Sequence, residues 1–315
     1  MSDPSFDIAI TTYKRPDYIV EAVKSCLDQG EYLRKVIVVD DASSDNTVEA
    51  VAGLGDSRIL FHQRSVNGGI GAARRDSFSM SEADWTVQLD SDHELLPGAI
   101  EKFAELARSA TFNIDIGILG ARFQWDDGNV TPVNVPLCPI DYVGRIQWCN
   151  RPDGIGADHL FCISRRVREK VKWPCFRGGG VVDTLFHLEI ARVAKTIFTD
   201  KCLALQKSNA PAGHTRGPTL YRLARRQLDA DDAVKLTDLT LERHGSSLKD
   251  HGKRFYGDIL QAGAYYALLS GQKRKSQKWL IESVRAKGLS IQALGLSLGL
   301  IGGLGLFRLL YRIRG

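Results

Sequence analysis

Residues Trp85 to Ala99 read WTVQLDSDHELLPGA. The run from Trp85 to Leu89 alternates in the manner of a strand, so the spacing predicts a buried strand that ends on two aspartates, Asp90 and Asp92, before a helix opens at Pro97. Two carboxylates at the end of a buried strand need a reason, and the neighbouring segments supply one.

Outward from that stretch, FDIAITT (6–12), KVIVVD (35–40), RILFH (58–62) and WTVQLD (85–90) are short and rich in β-branched residues. Segments with helical spacing separate them, which is the rhythm of βαβ units around a mostly parallel sheet. After Pro16, residues Ile19, Ala22, Val23, Cys26 and Leu27 form one apolar face and predict a helix from Asp17 to Asp28. Ligands of an open parallel sheet gather at the carboxyl ends of its strands. Here each end is polar: Thr11, Thr12 and Tyr13; Asp40 and Asp41; Asp90 and Asp92. Neither the glycine-rich dinucleotide fingerprint nor a P-loop is present. A magnesium or manganese ion on the carboxylates is the other way to hold a diphosphate. A second D-x-D triplet, Asp229 and Asp231, lies in a charged helical stretch and is read as facing water, so context is what singles out the first.

With 43% hydrophobic and 25% charged residues in 315, the chain can bury a large core. The six cysteines are scattered without a C-x-x-C pair, and MSDPSFDIAITT lacks the basic and apolar parts of a signal peptide, so a reducing, cytoplasmic setting is expected. Charge is divided unevenly. Residues 1–215 carry 24 Lys and Arg against 29 Asp and Glu, whereas 216–315 carry 18 against 8, a balance of −5 and +10.

The basic part predicts three helices, in 219–245, 249–271 and 273–288, each stopped by glycine. An uncharged run from Leu289 to Phe307 follows, about 28 Å long as a helix, but its glycines and polar residues make it a poor membrane span. Gly295, Gly299 and Gly303 offer a face that packs on another helix or subunit, so an oligomer through these helices is one reading. Lys273, Arg274, Lys275 and Lys278 favour the other, attachment to an anionic membrane surface. Nucleic acid is excluded as a partner because no reader motif accompanies the charge.

Four blocks, ITTYKRPDYIVEAVKSCLDQ (10–29), VIVVDDASSDNT (36–47), NGGIGAARRDS (67–77) and VQLDSDHELLPGAI (87–100), resemble in order and spacing those of the family 2 glycosyltransferases of bacterial polysaccharide and glycolipid biosynthesis. The resemblance is strong over residues 6–110. It implies an α/β fold of the GT-A type for a catalytic domain at 1–215, to which the charge and helical spacing add a carboxyl-terminal helical appendage: a basic helical region at 216–288 and a membrane-associating helix at 289–315. It places Thr11, Tyr13 and Asp41, with Asp40 beside them, around the nucleoside and Arg74 on the nucleotide. Asp92 is implied as a ligand of Mn2+ or Mg2+, and Asp90 on the ribose or on the metal through water. Further on, GGGVVDTLFHLEIARVAKTIFTD (178–200) resembles the acceptor-side segment in which Asp183 is the general base, although Val182 stands where the family often has glutamate. His214, in LALQKSNAPAGHTRG, is implied as a further metal ligand.

Simpler roles stand beside these. Asp40 and Asp45 read equally as turn and helix caps, Asp183 as the N-cap of a helix, Arg75 as a partner of a surface acid, and Ser91 as a turn residue. Trp125 and Trp148 lie in the segment read as the acceptor face and suit sugar stacking or core packing.

The resemblance thus implies an inverting, metal-dependent enzyme that moves sugar from a nucleotide-diphosphate donor, UDP-linked, to a hydroxyl of a glycan or lipid-linked acceptor. One membrane span could not keep both such a domain and Arg308, Arg312 and Arg314 on the cytoplasmic side, so an interfacial or re-entrant helix at the inner face is expected. Two alternatives compete. A sugar nucleotidyltransferase would want glycines after the first strand, which TTYKRPD lacks, and a non-catalytic membrane scaffold is suggested by Val182.

Overall fold

Strand β1 (Phe6–Thr12) is buried along its whole length, as a strand covered on both faces must be. In the computed structural model, which describes residues 3–110, 113–151, 159–177, 179–207 and 229–313, β1 lies between parallel neighbours β2 (Leu33–Asp40) and β4 (Trp85–Asp90). Parallel β3 (Ile59–Gln63) extends the sheet beyond β2. Helices α1 (Pro16–Leu27), α2 (Thr47–Ala52) and α3 (Ile70–Ser79) return the chain between these strands. The first starts and stops one residue before its expected bounds and buries Ile19, Ala22, Val23 and Cys26.

After β4 come β5 (His93–Leu95), α4 (Ala99–Ala110), β6 (Ile116–Trp125), β7 (Val130–Thr131), α5 (Tyr142–Cys149), β8 (Leu160–Ser164), α6 (Arg165–Lys170), α7 (Gly179–Val193) and β9 (Lys195–Gln206). Among the described residues one nine-stranded sheet results, in the order β3-β2-β1-β4-β8-β6-β9-β5, with β7 on β6. Its first four strands are parallel, β8 runs against both β4 and β6, and β5 runs against β9. Because β4 and β5 sit at distant places in that order, the chain must bend between Asp90 and His93. The register brings the strand ends level: Thr11 lies beside Val39 and Asp90, and Thr12 beside Asp40.

Beyond the sheet, α8 (Ala230–His251), α9 (Lys253–Leu269), α10 (Lys273–Lys287) and α11 (Ile291–Ile313) form a bundle. Its apolar centre, including Val234, Leu248, Leu260, Leu268, Trp279 and Leu296, also takes in Ile146 of α5 and Leu188 of α7. Gly245 does not stop its helix as expected, since α8 continues to His251. A glycine inside a helix costs about 1 kcal/mol relative to alanine, and burial of Leu248 one turn later contributes more, about 1.5–3 kcal/mol. Among the described residues no helix is long and apolar enough to cross a membrane.

Candidate active site

Ligands of such a sheet bind in the crevice outside the carboxyl ends of its strands, and beside the level ends here lie the loops after β1 and β2. Lys14 and Ala42 adopt left-handed backbone conformations, with φ of 55° and 62°, which costs non-glycine residues of order 1–3 kcal/mol each. The two loops hold each other there: the Lys14 amide donates to Ser43 Oγ at 2.7 Å and the Asp41 amide to the Thr12 carbonyl at 2.9 Å. Asp40 is fully buried and accepts from the Ser43 amide and from Gln63 Nε2, so it is the turn cap of the simpler reading. Asp45 likewise caps α2 by accepting from the Thr47 amide and hydroxyl. Thr11 is buried and Tyr13 half-buried at this edge.

Asp41 has a larger structural duty than the sequence suggested. Its Oδ1 accepts from Arg64 at 2.7 Å and from the Gly68 amide at 2.9 Å, and its Oδ2 from the Gly69 amide at 2.8 Å. The amides just ahead of α3 thus receive an anion from the chain itself. By the count of two lone pairs per oxygen, Oδ2 retains one acceptor position. Gly69 needs its φ of 83°. At Gly71 a side chain would meet the Pro174 carbonyl at 2.2 Å. That glycine therefore serves close packing of α3 on the 174–176 segment rather than access by a ligand.

Close packing there aims Arg74. The side chain is 5% exposed, its guanidinium lies 4.9 Å from the Trp173 ring centre, and Trp173 itself is stacked on Phe186 of α7 at 3.7 Å. One nitrogen donates to Asp90 at 2.8 Å and another to Asp183. A single buried arginine therefore joins the end of β4 to α7, reaching Asp183 from 109 residues away in the sequence. Asp183 is the fifth residue of α7, which begins at Gly179, so it does not cap the helix start. Val182 beside it is fully buried in the core with Phe186 and Trp173. A glutamate there would be buried among apolar side chains, and the valine is explained by packing.

At the bend, Asp92 pairs with Arg15 at 3.3 Å and lies 3.2 Å from His93 Nδ1. Ser91 is more than a turn filler because its hydroxyl accepts from Arg15 at 3.3 Å. Burial pushes the Asp90 carboxyl up, but the charges of Arg74, His93 and Arg15 outweigh it and hold the group down at about 2. Asp90, Asp92 and His93 each present a ligand atom within 4.8 Å of the others. Two carboxylates and an imidazole suit a manganese or magnesium ion. Arg15 and His93 were missed in the sequence, although both adjoin quoted motifs, YKRPD and DSDH.

Other expectations fall elsewhere. His214 lies outside the described residues. Glu189, the next acid on α7, pairs with Arg243 at 2.9 Å and His244 at 3.3 Å and ties α7 to α8. Trp148 is buried against Phe198 and His159, and Trp125 packs partly buried on the core beside Phe123. Arg75 contacts Cys175 Sγ at 2.9 Å instead of an acid.

Residues 7–171 match the profile of glycosyl transferase family 2. Among related proteins, a succinoglycan biosynthesis protein, ExoO, of Rhizobium meliloti is 32% identical over 124 residues, 38% of this chain and 36% of that protein. A putative colanic acid biosynthesis glycosyl transferase, WcaA, of Escherichia coli is 27% identical over 172 residues, 53% and 60% of the two chains. The chain thus spans 36% and 60% of the two relatives, less than two thirds of either. Among solved structures, the mannosyltransferase PcManGT of Pyrobaculum calidifontis, in complex with GDP-Man and Mn2+, superposes with a TM-score of 0.56 at 16% identity, covering 99% of this chain and 86% of that one. S. aureus TarS 1–349 in complex with UDP-GlcNAc gives 0.54 at 17% identity, covering 91% and 93%. The fold is accordingly the mostly parallel GT-A type expected from the strand pattern.

Proposed function

The chain belongs to glycosyl transferase family 2, and from that premise we propose that it is an inverting glycosyltransferase taking sugar from a nucleotide diphosphate, UDP-linked, to a hydroxyl of a glycan or lipid-linked acceptor. The observation that carries this reading is Arg74, which joins a strand-end carboxylate to a helix carboxylate in one crevice. The polysaccharide roles in the relatives' names and the nucleotide-sugar complexes of the structural neighbours support it.

Asp183 is the base: it takes the proton of the acceptor hydroxyl as that oxygen bonds to the anomeric carbon, while the bond to the diphosphate breaks and its electrons leave on phosphate oxygen. Arg74, fixed on Trp173, holds Asp183 and Asp90 in their relative positions, and preorganisation of this kind lowers the reorganisation needed during reaction. Thr11, Tyr13 and the remaining lone pair of Asp41 face the nucleoside. Asp92, Asp90 and His93 would hold Mn2+ or Mg2+, which when bound supplies positive charge for the leaving diphosphate.

Residues 1–215 form the catalytic part in this reading. The basic region at 216–288 and the helix at 289–315 hold it at the cytoplasmic face of the membrane, where a lipid-linked acceptor is found. Release of nucleoside diphosphate from UDP-sugars, tested against GDP-sugars and a range of acceptors, checks the activity. Pyrophosphate release would identify a nucleotidyltransferase, and absence of turnover with every donor would favour the scaffold.

A further inference from the structure

Over residues 291–302 of α11, one apolar face is covered and a second is exposed. Ala293 and Leu296 are buried in the bundle centre and Leu300 packs partly buried against it. Ile291, Leu294, Leu298 and Ile301 keep 66%, 48%, 47% and 86% of their surface exposed. At about 100° per residue these four fall within one arc of roughly 80°, opposite the covered face. Leu289, just ahead of the helix, is also exposed.

The preceding helix contributes charge. Arg274, Lys278, Ile281 and Arg285 follow one another at steps of four, three and four residues, and all are exposed, so they share one outward face of α10. Lys275 and Lys287 are occupied by Asp238 and Asp258, at 2.6 and 2.5 Å. Among the described residues no ion pair takes up Lys273, Arg274, Lys278 or Arg285. From Lys273 to Ile301 the sole acid is Glu282, which is held by Lys249 and the Tyr256 hydroxyl.

We propose that these faces of α10 and α11 dock on an anionic bilayer, with α11 lying in the plane of the interface, Ile291, Leu294, Leu298 and Ile301 reaching the acyl boundary, and Arg274, Lys278 and Arg285 meeting lipid phosphates. An exposed apolar stripe next to cations that no ion pair takes up is the pattern of interfacial helices. Charge decides against a second copy, because a symmetric pairing would set one region of net charge +10 against another. The covered face of α11 anchors the docking surface to the bundle, and the bundle to α5 and α7 through Ile146 and Leu188. Docking therefore also orients the catalytic crevice. This inference deepens the membrane location in the proposed function and rests on it.

The test is co-sedimentation of the full chain with phosphatidylcholine vesicles, with and without phosphatidylglycerol. Binding is expected only with the anionic lipid and is expected to weaken with salt. Leu294→Glu with Leu298→Glu should lower the partition coefficient roughly tenfold or more. Arg274→Glu with Lys278→Glu should lower it at least roughly 25-fold, from about fivefold per cation. All four positions are exposed, so thermal midpoints and vesicle-free donor turnover should stay at wild-type values. Equal binding to neutral vesicles, or unchanged partition of either double variant, overturns the proposal. So does a wild-type dimer in sedimentation equilibrium that the leucine variant dissolves. If the vesicle pattern holds while no donor is turned over, the docking surface stands and the enzymatic reading falls.

Discussion

Replacing Arg74 with methionine keeps an unbranched apolar stem on Trp173 and removes the guanidinium that joins Asp90 to Asp183. Hydrogen bonds to charged groups contribute about 1.5–3 kcal/mol each, so two set an upper bound of about 3–6 kcal/mol. The stranded carboxylates are 39% and 31% exposed and regain water. Relief of the buried cation's desolvation offsets a further part, leaving an expected loss of about 1–3 kcal/mol in stability. Transfer should suffer more, because displacement of the base by about an ångström costs on the order of 10²-fold. Arg74→Lys separates the two effects: it keeps the charge but cannot span both carboxylates, so stability should fall less while transfer still drops. Urea unfolding followed by tryptophan fluorescence gives the first quantity and nucleoside diphosphate release in the presence of acceptor the second. Transfer within about threefold of wild type in both variants would refute the positioning role of Arg74.

Asp183→Asn should keep an oxygen acceptor for Arg74 and leave calorimetric donor affinity unchanged while slowing transfer about 10²- to 10⁴-fold; near-normal transfer would remove Asp183 as the base. Burial, with the nearby charges of Arg145, His159 and Arg74, pushes the His187 imidazole well down, and burial lowers His244 against the opposing pull of Glu189. As pH falls through about 6.5 the unfolded chain therefore binds protons that the folded chain refuses, and stability should decline by up to about 1.4 kcal/mol per pH unit per histidine. His187→Gln should flatten this slope in denaturant titrations at pH 5 to 7, and an unchanged slope would show that His187 does not contribute. Asp7, fully buried, accepts from Arg34 at 3.1 and 2.8 Å and from the buried Ser81 hydroxyl and Ala83 amide; changing it to alanine strands those donors and should cost about 2–4 kcal/mol, and a loss under about 1 kcal/mol would contradict this account.

The strand ends were legible because each apolar run stops at a polar residue, and a parallel register then brings those ends level. Arg74, Asp90, Asp92 and Asp183 could be chosen from motif resemblance, but the junction of Asp90 and Asp183 by Arg74 could not, since it depends on sheet order and on Trp173 stacking against Phe186. Asp41 illustrates the opposite limit: its position after β2 marked it as polar and near the crevice, yet its three bonds to Arg64, Gly68 and Gly69 depend on a loop closing back from more than twenty residues away. Arg15 and His93 escaped notice because nothing local distinguishes an arginine before a helix proline, or a histidine after an acid, from surface residues. In the bundle, helical period located the helices, while the passage of α8 through Gly245 was decided by the burial of Leu248, a tertiary effect.

Calorimetric binding of UDP to the wild-type chain and to Asp92→Ala, each with Mn2+ and with chelator, tests most directly the claim that the strand-end carboxylates hold a nucleotide diphosphate through a cation. Binding should appear only for wild type with Mn2+. Equal affinity in the variant, or in chelator, would contradict the account and assign the diphosphate to protein groups alone.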